Sequence, residues 1–521
     1  MPANALPHIG EVLRLNAHAF PDKVGARDLA RSFTFRQWNA RACRLANALA
    51  GLGLVKGDRV AVLAYNAIEW LEIYAAVAKV GLVAVPVNFR LVGPEIRYIA
   101  ENCEARAFIV QDELMARTEE VRGELPIPER NYIMFGGTSR VAGYRAYEDL
   151  LSDARDGEPD VAVGPDDTWA LMYTSGTTGK PKGAIRSHRA SAQLSLSTDV
   201  EMGFGRDDTA LLVMPMCHAN SLYFFNAFTY CGASCVVYSQ RSVDPDHLLR
   251  TLSESGATFT SLVPTHYIMM LGLPAATRER ASGERMRKLL VSSAPARRDT
   301  KLAILAHFRN SGLYELYGST EAGWVTMLHP DEQMVKLGSV GRECAGSAPI
   351  RILDPDGKDV PEGEVGELYS STPYTFDGYW KNPEKTAEAF RGAYCTVGDM
   401  ARRDPDGFYY LVDRKSNMII SGGENIYPSE VENMLGQNPK VKEVAVIGLP
   451  DAKWGERVHA VIVLHGDGDA SEAEIIAWCR DRIAGYKRPR SVSFIADEEM
   501  PRTATGKILH RSLRGKLSGN G

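Results

Sequence analysis

The run Arg59-Val60-Ala61-Val62-Leu63-Ala64-Tyr65 is apolar from Val60 to Ala64 and reads as a buried strand. Asn66 stands where a helix N-cap belongs, and a helix is expected from about Ala67 to Val80. Gly81 ends it, and Leu82-Val83-Ala84-Val85-Pro86-Val87 reads as the next strand. Two buried strands separated by one helix imply parallel α/β layers. The same rhythm returns at Arg106 to Gln111, Thr258 to Val263, Lys288 to Ser292 and Gly312 to Leu316.

Arg117 to Pro165 is more polar and carries Pro126, Pro128, Pro159 and Pro165, so it reads as an irregular connection. From Gly338 to Tyr410 the texture changes. Short alternating segments such as Gly366-Glu367-Leu368-Tyr369 sit among Asp-Gly turns at Asp356-Gly357 and Asp406-Gly407, which predicts an antiparallel β subdomain. Beyond Arg414, Val444 to Gly448, Val458 to Leu464 and Ser491 to Ile495 read as strands, and Glu472 to Ile483 as a helix. A chain of 521 residues is too long for one core. The expected fold is α/β. A large N-terminal domain, 1–414, consists of layered α/β subdomains plus the β subdomain. A small, mobile α+β C-terminal domain covers 415–521.

A net charge of -5 leaves no footprint for a nucleic-acid partner. The eight cysteines lack paired metal spacing; Cys231 and Cys235 lie closest, with no second pair to accompany them. Buried thiols in a reducing compartment are expected. Glu11 and Arg14 interrupt the place where a signal peptide needs an apolar core, and Glu72 and Lys79 break the most apolar stretch, Trp70 to Val87. The expectation is a cytoplasmic protein without an integral membrane segment. The oligomeric state does not follow from the sequence.

Tyr173-Thr174-Ser175-Gly176-Thr177-Thr178-Gly179-Lys180-Pro181-Lys182-Gly183 concentrates hydroxyls, glycines and two lysines in one loop. Glycines allow close backbone approach to a ligand, successive N–H groups make an anion-binding concavity, and Lys180 and Lys182 add charge. Such a loop cradles a polyphosphate. It also has a plain reading as a flexible surface loop. It is not the Walker P-loop, because Pro181 stands where that motif has Ser or Thr.

Five further segments follow. They are Tyr317-Gly318-Ser319-Thr320-Glu321-Ala322-Gly323, Tyr394-Cys395-Thr396-Val397-Gly398-Asp399, Gly407 to Arg414, Ser421-Gly422-Gly423-Glu424-Asn425-Ile426-Tyr427-Pro428, and Pro501-Arg502-Thr503-Ala504-Thr505-Gly506-Lys507. In this order and spacing, over essentially the whole chain, the set resembles the adenylate-forming superfamily. That superfamily includes acyl-CoA synthetases, aryl-CoA ligases, peptide-synthetase adenylation domains and luciferases. The resemblance implies an AMP-forming acid–CoA ligase that uses ATP, Mg2+ and coenzyme A. A fatty or aromatic acid is adenylated, pyrophosphate leaves, and the CoA thiol displaces AMP.

The resemblance also assigns residues. Thr174, Ser175, Gly176, Thr177, Thr178, Gly179, Lys180 and Lys182 hold the β- and γ-phosphates. Tyr317, with Gly318 and Ser319 beside it, stacks on adenine, and Ser293, Ala294 and Pro295 form the opposite wall. Thr320 contacts the α-phosphate, and Glu321 is the magnesium-associated carboxylate. Asp399 and Arg414 take the ribose hydroxyls. Lys507 is the catalytic lysine, bridging the acid and the α-phosphate. Ser421, Gly422, Gly423 and Glu424 face the site in the thioester step, admitting the pantetheine arm. The hinge position is Ser416, where the family usually has Asp or Lys. Glu343-Cys344 replaces the usual Pro-containing continuation after Gly338-Ser339-Val340-Gly341-Arg342.

Met214 to Ser221 resembles the segment whose histidine lines the acid pocket, which assigns His218 and Asn220 there. Tyr223, Phe224, Phe225 and Trp324 form either an apolar acyl or aryl site or plain core. No Arg or Lys stands ready for a second substrate carboxylate. The alternative function is a stand-alone adenylating enzyme that loads a carrier-protein thiol. More distant readings are a luciferase-like oxidation and a silent nucleotide-binding protein.

Overall fold

The computed structural model describes residues 6–137, 140–174, 180–281, 283–294, 296–422, 424–466, 469–480, 482–503 and 506–518. Two compact units emerge. One is Met1–Pro349 with Ser370–Cys395, and the other is Ile350–Tyr369 with Thr396–Gly521.

The first unit is built on two sheets. One has seven strands in the order Arg145–Ala146, Tyr132–Phe135, Ala105–Gln111, Arg59–Leu63, Val83–Val87, Thr168–Thr174, Lys182–Ser187. All its pairs are parallel except the last. The other has nine strands, with a parallel centre running from Gly312–Ser319 through Lys288–Ser292, Phe259–Leu262, Thr209–Leu212 and Ser234–Val237 to Val24–Arg27. Antiparallel strands close its edges.

Side chains alternate across a strand, so each sheet can feed two cores. Val60 and Val62 enter a core shared with Ala210, Leu212 and Val237 of the second sheet, whereas Ala61 and Leu63 point to the opposite side. The shared core holds the helices Ile9–Ala19, Phe35–Gly51, Glu69–Lys79 and Ala219–Tyr230. Trp70 meets Tyr74 at 5.3 Å between ring centroids, and Tyr74 meets Trp169 at 5.6 Å. Outer helices cover the far faces of both sheets. The α/β layering follows directly from the apolar runs.

The charges that interrupt the apolar stretch are both neutralised inside. Arg41 Nε lies 2.6 Å from Glu72 Oε1, and Lys79 Nζ lies 2.7 Å from Glu158. Among the described residues, no helix is long and apolar enough to cross a membrane. All eight cysteines are free thiols, six of them buried.

Three local expectations are corrected. The helix begins at Glu69, and Asn66 does not cap it. Its amide instead donates to the carbonyls of Val213 and Met214 and accepts from the Met216 N–H, tying the two sheets together. Residues 117–165 are not simply irregular. They supply the strands Tyr132–Phe135 and Arg145–Ala146 and the helix Tyr147–Asp153. The helix begun at Glu472 stops at Trp478.

In the second unit, Arg351–Leu353, Gly366–Tyr369, Asp399–Arg403 and Tyr409–Arg414 form a four-stranded antiparallel sheet. A second sheet is centred on the long hairpin Val441–Asp451 and Gly455–Leu464. It packs with the helices Pro428–Leu435 and Glu472–Trp478.

Candidate active site

The strands Gly312–Ser319 and Gly323–Leu328 are joined by a turn so tight that a Cβ on Gly318 would lie 2.4 Å from the Gly323 carbonyl. That turn presents Thr320 and Glu321. The Glu321 carbonyl accepts from the Phe376 N–H at 2.7 Å, and Ser319 Oγ accepts from the Ala322 N–H at 2.9 Å. The buried Glu321 carboxylate receives the Thr174 hydroxyl at 3.0 Å and the Tyr379 hydroxyl at 2.9 Å, both on Oε1. Thr174 ends the strand that leads into the glycine-rich loop. The end of that strand and the Thr320–Glu321 turn therefore meet.

Ser175, Gly176, Thr177, Thr178 and Gly179 lie outside the described residues, as do Pro295 and Gly423. Beyond the loop, Lys180 Nζ sits 5.4 Å over the Tyr98 ring and Lys182 Nζ 4.0 Å over the Tyr379 ring. Tyr379 thus touches both the carboxylate and the lysine. Sequence reasoning missed it, since it belongs to no recognised segment.

Tyr317 is largely buried on the strand that carries the turn, opposite Thr326. Ser293 has φ +70, a left-handed backbone that non-glycine residues rarely adopt, and Ala294 beside it is exposed. Strands Lys288–Ser292 and Gly312–Ser319 pair in parallel, with Ser292 opposite Leu316. The Ser293–Ala294 turn and Tyr317 therefore lie at the carboxyl end of the parallel strands, the usual ligand edge of such sheets.

His218 precedes the helix Ala219–Tyr230, and its Nδ1 accepts from the Asn220 N–H at 3.4 Å. Asn220 is buried, and its amide donates to the Ser261 and Ser292 hydroxyls at 2.9 and 3.0 Å. Tyr223 and Trp324 pack edge to face at 5.3 Å, both buried. Tyr223 donates its hydroxyl to the Thr320 carbonyl at 3.0 Å, and Trp324 donates Nε1 to Thr198 Oγ1 at 2.9 Å.

In the second unit Asp399 and Arg414 face each other across neighbouring antiparallel strands, with Arg414 Nε 3.1 Å from Asp399 Oδ1. Lys507 sits on a tight turn. Its N–H donates to Thr503 Oγ1 at 3.1 Å, its carbonyl accepts from the Thr503 N–H at 2.7 Å, and Gly506 supplies φ +83. Lys507 is exposed as a residue. Desolvation about its ammonium, and then the positive charge of Arg414, still lower its pKa, against the opposing pull of Asp399. Ser421 ends the strand Ile419–Ser421 and pairs with Glu424, which is exposed. Gly422 has φ +63, and a Cβ there would meet the Trp454 ring at 2.9 Å. Ser416 lies exposed in the turn after Arg414. Beside it Asp413 accepts from the Ser429 N–H at 2.8 Å and from the Asn417 amide at 3.2 Å.

Among the described residues no cluster of three metal-ligating side chains exists. Glu321 still suits magnesium. It is a carboxylate whose Oε2 takes no donor from the described residues, and this ion is commonly held by one carboxylate, substrate phosphates and water.

The sequence model of the AMP-binding enzyme family matches residues 13–380, and that of the AMP-binding enzyme C-terminal domain matches 430–507. The chain is similar to feruloyl-CoA synthase of Amycolatopsis sp, 36% identical over 96% of this chain and 97% of the relative. It is 33% identical to indoleacetate–CoA ligase of Aromatoleum aromaticum, over 97% of each. An anthranilate CoA ligase solved with anthranoyl-AMP superposes with a TM-score of 0.88 at 29% identity, covering 99% of both chains. This chain belongs to the AMP-binding enzyme family, among the adenylate-forming acid–CoA ligases. It is an acid–thiol ligase of that family.

Proposed function

We propose that the chain converts a carboxylic acid to its CoA thioester in two steps. The acid carboxylate attacks the ATP α-phosphorus, forming the P–O bond of an acyl-adenylate while the bond to pyrophosphate breaks. The CoA sulfur then attacks the acyl carbon, and AMP leaves with the electron pair of the C–O bond. Both steps gather negative charge on oxygen, so positioning and fixed positive charge do most of the catalysis.

The observation that carries the reading is the meeting of Thr174 with Glu321, which joins the phosphate loop to the turn of the α-phosphate residue. In this reading Thr174 to Lys182 hold the departing phosphates, and Thr320 contacts the α-phosphate. Glu321 holds the magnesium ion, which when bound neutralises phosphate charge. Tyr317 and Ser293 to Pro295 hold the adenine, and Asp399 and Arg414 the ribose. Lys507 supplies a movable positive charge to the pentavalent phosphorus. Rotation at Ser416, between a body 1–414 and a lid 415–521, then brings Ser421 to Glu424 to the thioester step. His218 and Asn220 belong to the acid site. The relatives named for ferulate and indoleacetate support an aryl-substituted acid, within a set that also holds a long-chain-fatty-acid–CoA ligase. Eight free thiols support a reducing, cytoplasmic setting.

The test is pyrophosphate release across fatty, aryl and dicarboxylic acids, with and without CoA. CoA-dependent turnover on aryl acids is expected. Adenylation that CoA never accelerates would turn the reading to carrier-protein loading.

A further inference from the structure

Arg186 is the most costly residue in the neighbourhood of the turn. It lies on the strand Lys182–Ser187, on the same inward face as Ala184, and is 0% exposed. A buried guanidinium normally requires a carboxylate partner. Arg186 forms no ion pair among the described residues, and its Nε and Nη2 lack hydrogen-bond partners there. Its Nη1 donates to two backbone carbonyls, those of Thr320 and Glu321, each at 3.3 Å. The guanidinium stands 5.2 Å from the centre of the Tyr223 ring, and the Tyr223 hydroxyl bonds the same Thr320 carbonyl.

Those two carbonyls bracket the peptide units on either side of Glu321. A planar peptide has little freedom once its carbonyl is held. Fixing both sets where the Thr320 and Glu321 side chains emerge. A charge-assisted donor into two carbonyls is stronger than a neutral one, and the ring face supplies further attraction to the cation. The charge also raises the positive potential under the turn, where the proposed reaction accumulates negative charge.

We infer that Arg186, braced by Tyr223, is the positioning residue that sets the Thr320–Glu321 turn for adenylation. The inference rests on the function proposed above. It extends that reading to two residues that do not touch the reacting atoms.

The test uses the full chain with Arg186→Met, Arg186→Lys and Tyr223→Phe. Each variant is assayed for acid-dependent pyrophosphate exchange, for thioester formation from supplied acyl-adenylate, and for thermal unfolding. Arg186→Met is expected to slow exchange about 100-fold and raise the KM for Mg·ATP several-fold, in the range for losing a positioned polar group. Thioester formation from the adenylate should change less than about 3-fold, since fewer phosphate charges need placing in that step. Arg186→Lys, which restores a cation, should recover about tenfold. Tyr223→Phe, which leaves the ring and the charge, should slow exchange about 3- to 10-fold, the scale of one hydrogen bond, while cooperative unfolding is retained. The inference is overturned by unaltered exchange in Arg186→Met, by equal loss in both half-reactions, or by absence of rescue with lysine. If Arg186→Met does not fold, Tyr223→Phe decides alone, and unchanged exchange there is the overturning result. A wild-type chain that catalyses no exchange with any acid sinks the proposed function itself, a different outcome from an active wild type with indifferent variants.

Discussion

Thr174 and Glu321, separated by 147 positions in the chain, share a hydrogen bond of 3.0 Å from the threonine hydroxyl to the buried carboxylate. One residue closes the strand before the glycine-rich loop, and the other belongs to the turn after the strand Gly312–Ser319. The contact brings two distant motifs together, and the Tyr379 hydroxyl joins them on the same carboxylate oxygen from a third segment.

Glu321→Gln keeps the shape and the ability to accept from Thr174 but removes the charge. Adenylation is expected to fall by about 100- to 1000-fold, as for loss of a preorganised electrostatic group. The magnesium concentration for half-maximal exchange should rise. Exchange assays over a magnesium series check this, and an unchanged magnesium dependence would remove the ion from Glu321.

Lys507→Ala should nearly abolish adenylation while thioester formation from supplied acyl-adenylate survives. The lysine must be charged to act, and its pKa is lowered. Adenylation should therefore decline, as pH rises, at a value below that of an ordinary lysine. Lys507→Arg should move that alkaline limb upward, because arginine stays protonated. A pH–rate profile of each half-reaction measures both effects; a limb that ignores the substitution would belong to another group.

Asp199 is half-buried with no partner on Oδ1 among the described residues, and desolvation, then the nearby Asp208, push its pKa up to about 8. The folded chain keeps this carboxyl protonated at pH values where the unfolded chain has released the proton. Its contribution is therefore greatest below about pH 4 and is lost progressively as pH rises toward 8. Asp199→Asn should flatten the decline and stabilise the protein at pH 8 by at least about 1 kcal/mol. Denaturant midpoints between pH 5 and pH 8, read as pairs for the two proteins, test it; parallel curves would count against the burial argument.

Gly341 has φ +94, and a Cβ there would sit 1.9 Å from the Met327 carbonyl oxygen. Gly341→Ala must push two strands apart, at an expected cost of about 3 kcal/mol or more. Equilibrium unfolding measures this. A loss below about 1 kcal/mol would mean that the strand edge gives way easily.

Gly422→Val combines a left-handed φ of +63 with contact against the Trp454 ring. It should impair thioester formation more than exchange. Rates of the two half-reactions, measured separately, decide whether this turn lies on the path of the thiol.

Much of the protein is legible in local patterns. The apolar runs at 59–65 and 82–87 announce two strands of the seven-stranded sheet because alternate residues of each enter different cores. The motif order identifies the family because each segment places special chemistry at a turn or strand end. Short strands inside polar stretches, such as Tyr132–Phe135, escape such reading, since their burial comes from neighbours distant in the chain, such as the strand Ala105–Gln111.

By itself, then, the sequence determined the layered α/β plan and the motif order that marks the family, because backbone period, turn chemistry and motif spacing are local properties. Tertiary structure alone decided the partners. Asn66 bonds across to Met214 and Met216 and caps no helix, Tyr379 reaches Glu321, and Arg186 is buried beneath the Thr320–Glu321 turn. Each of these choices depends on which distant groups packing brings within hydrogen-bond reach, and on the cost of leaving a buried polar atom without a partner.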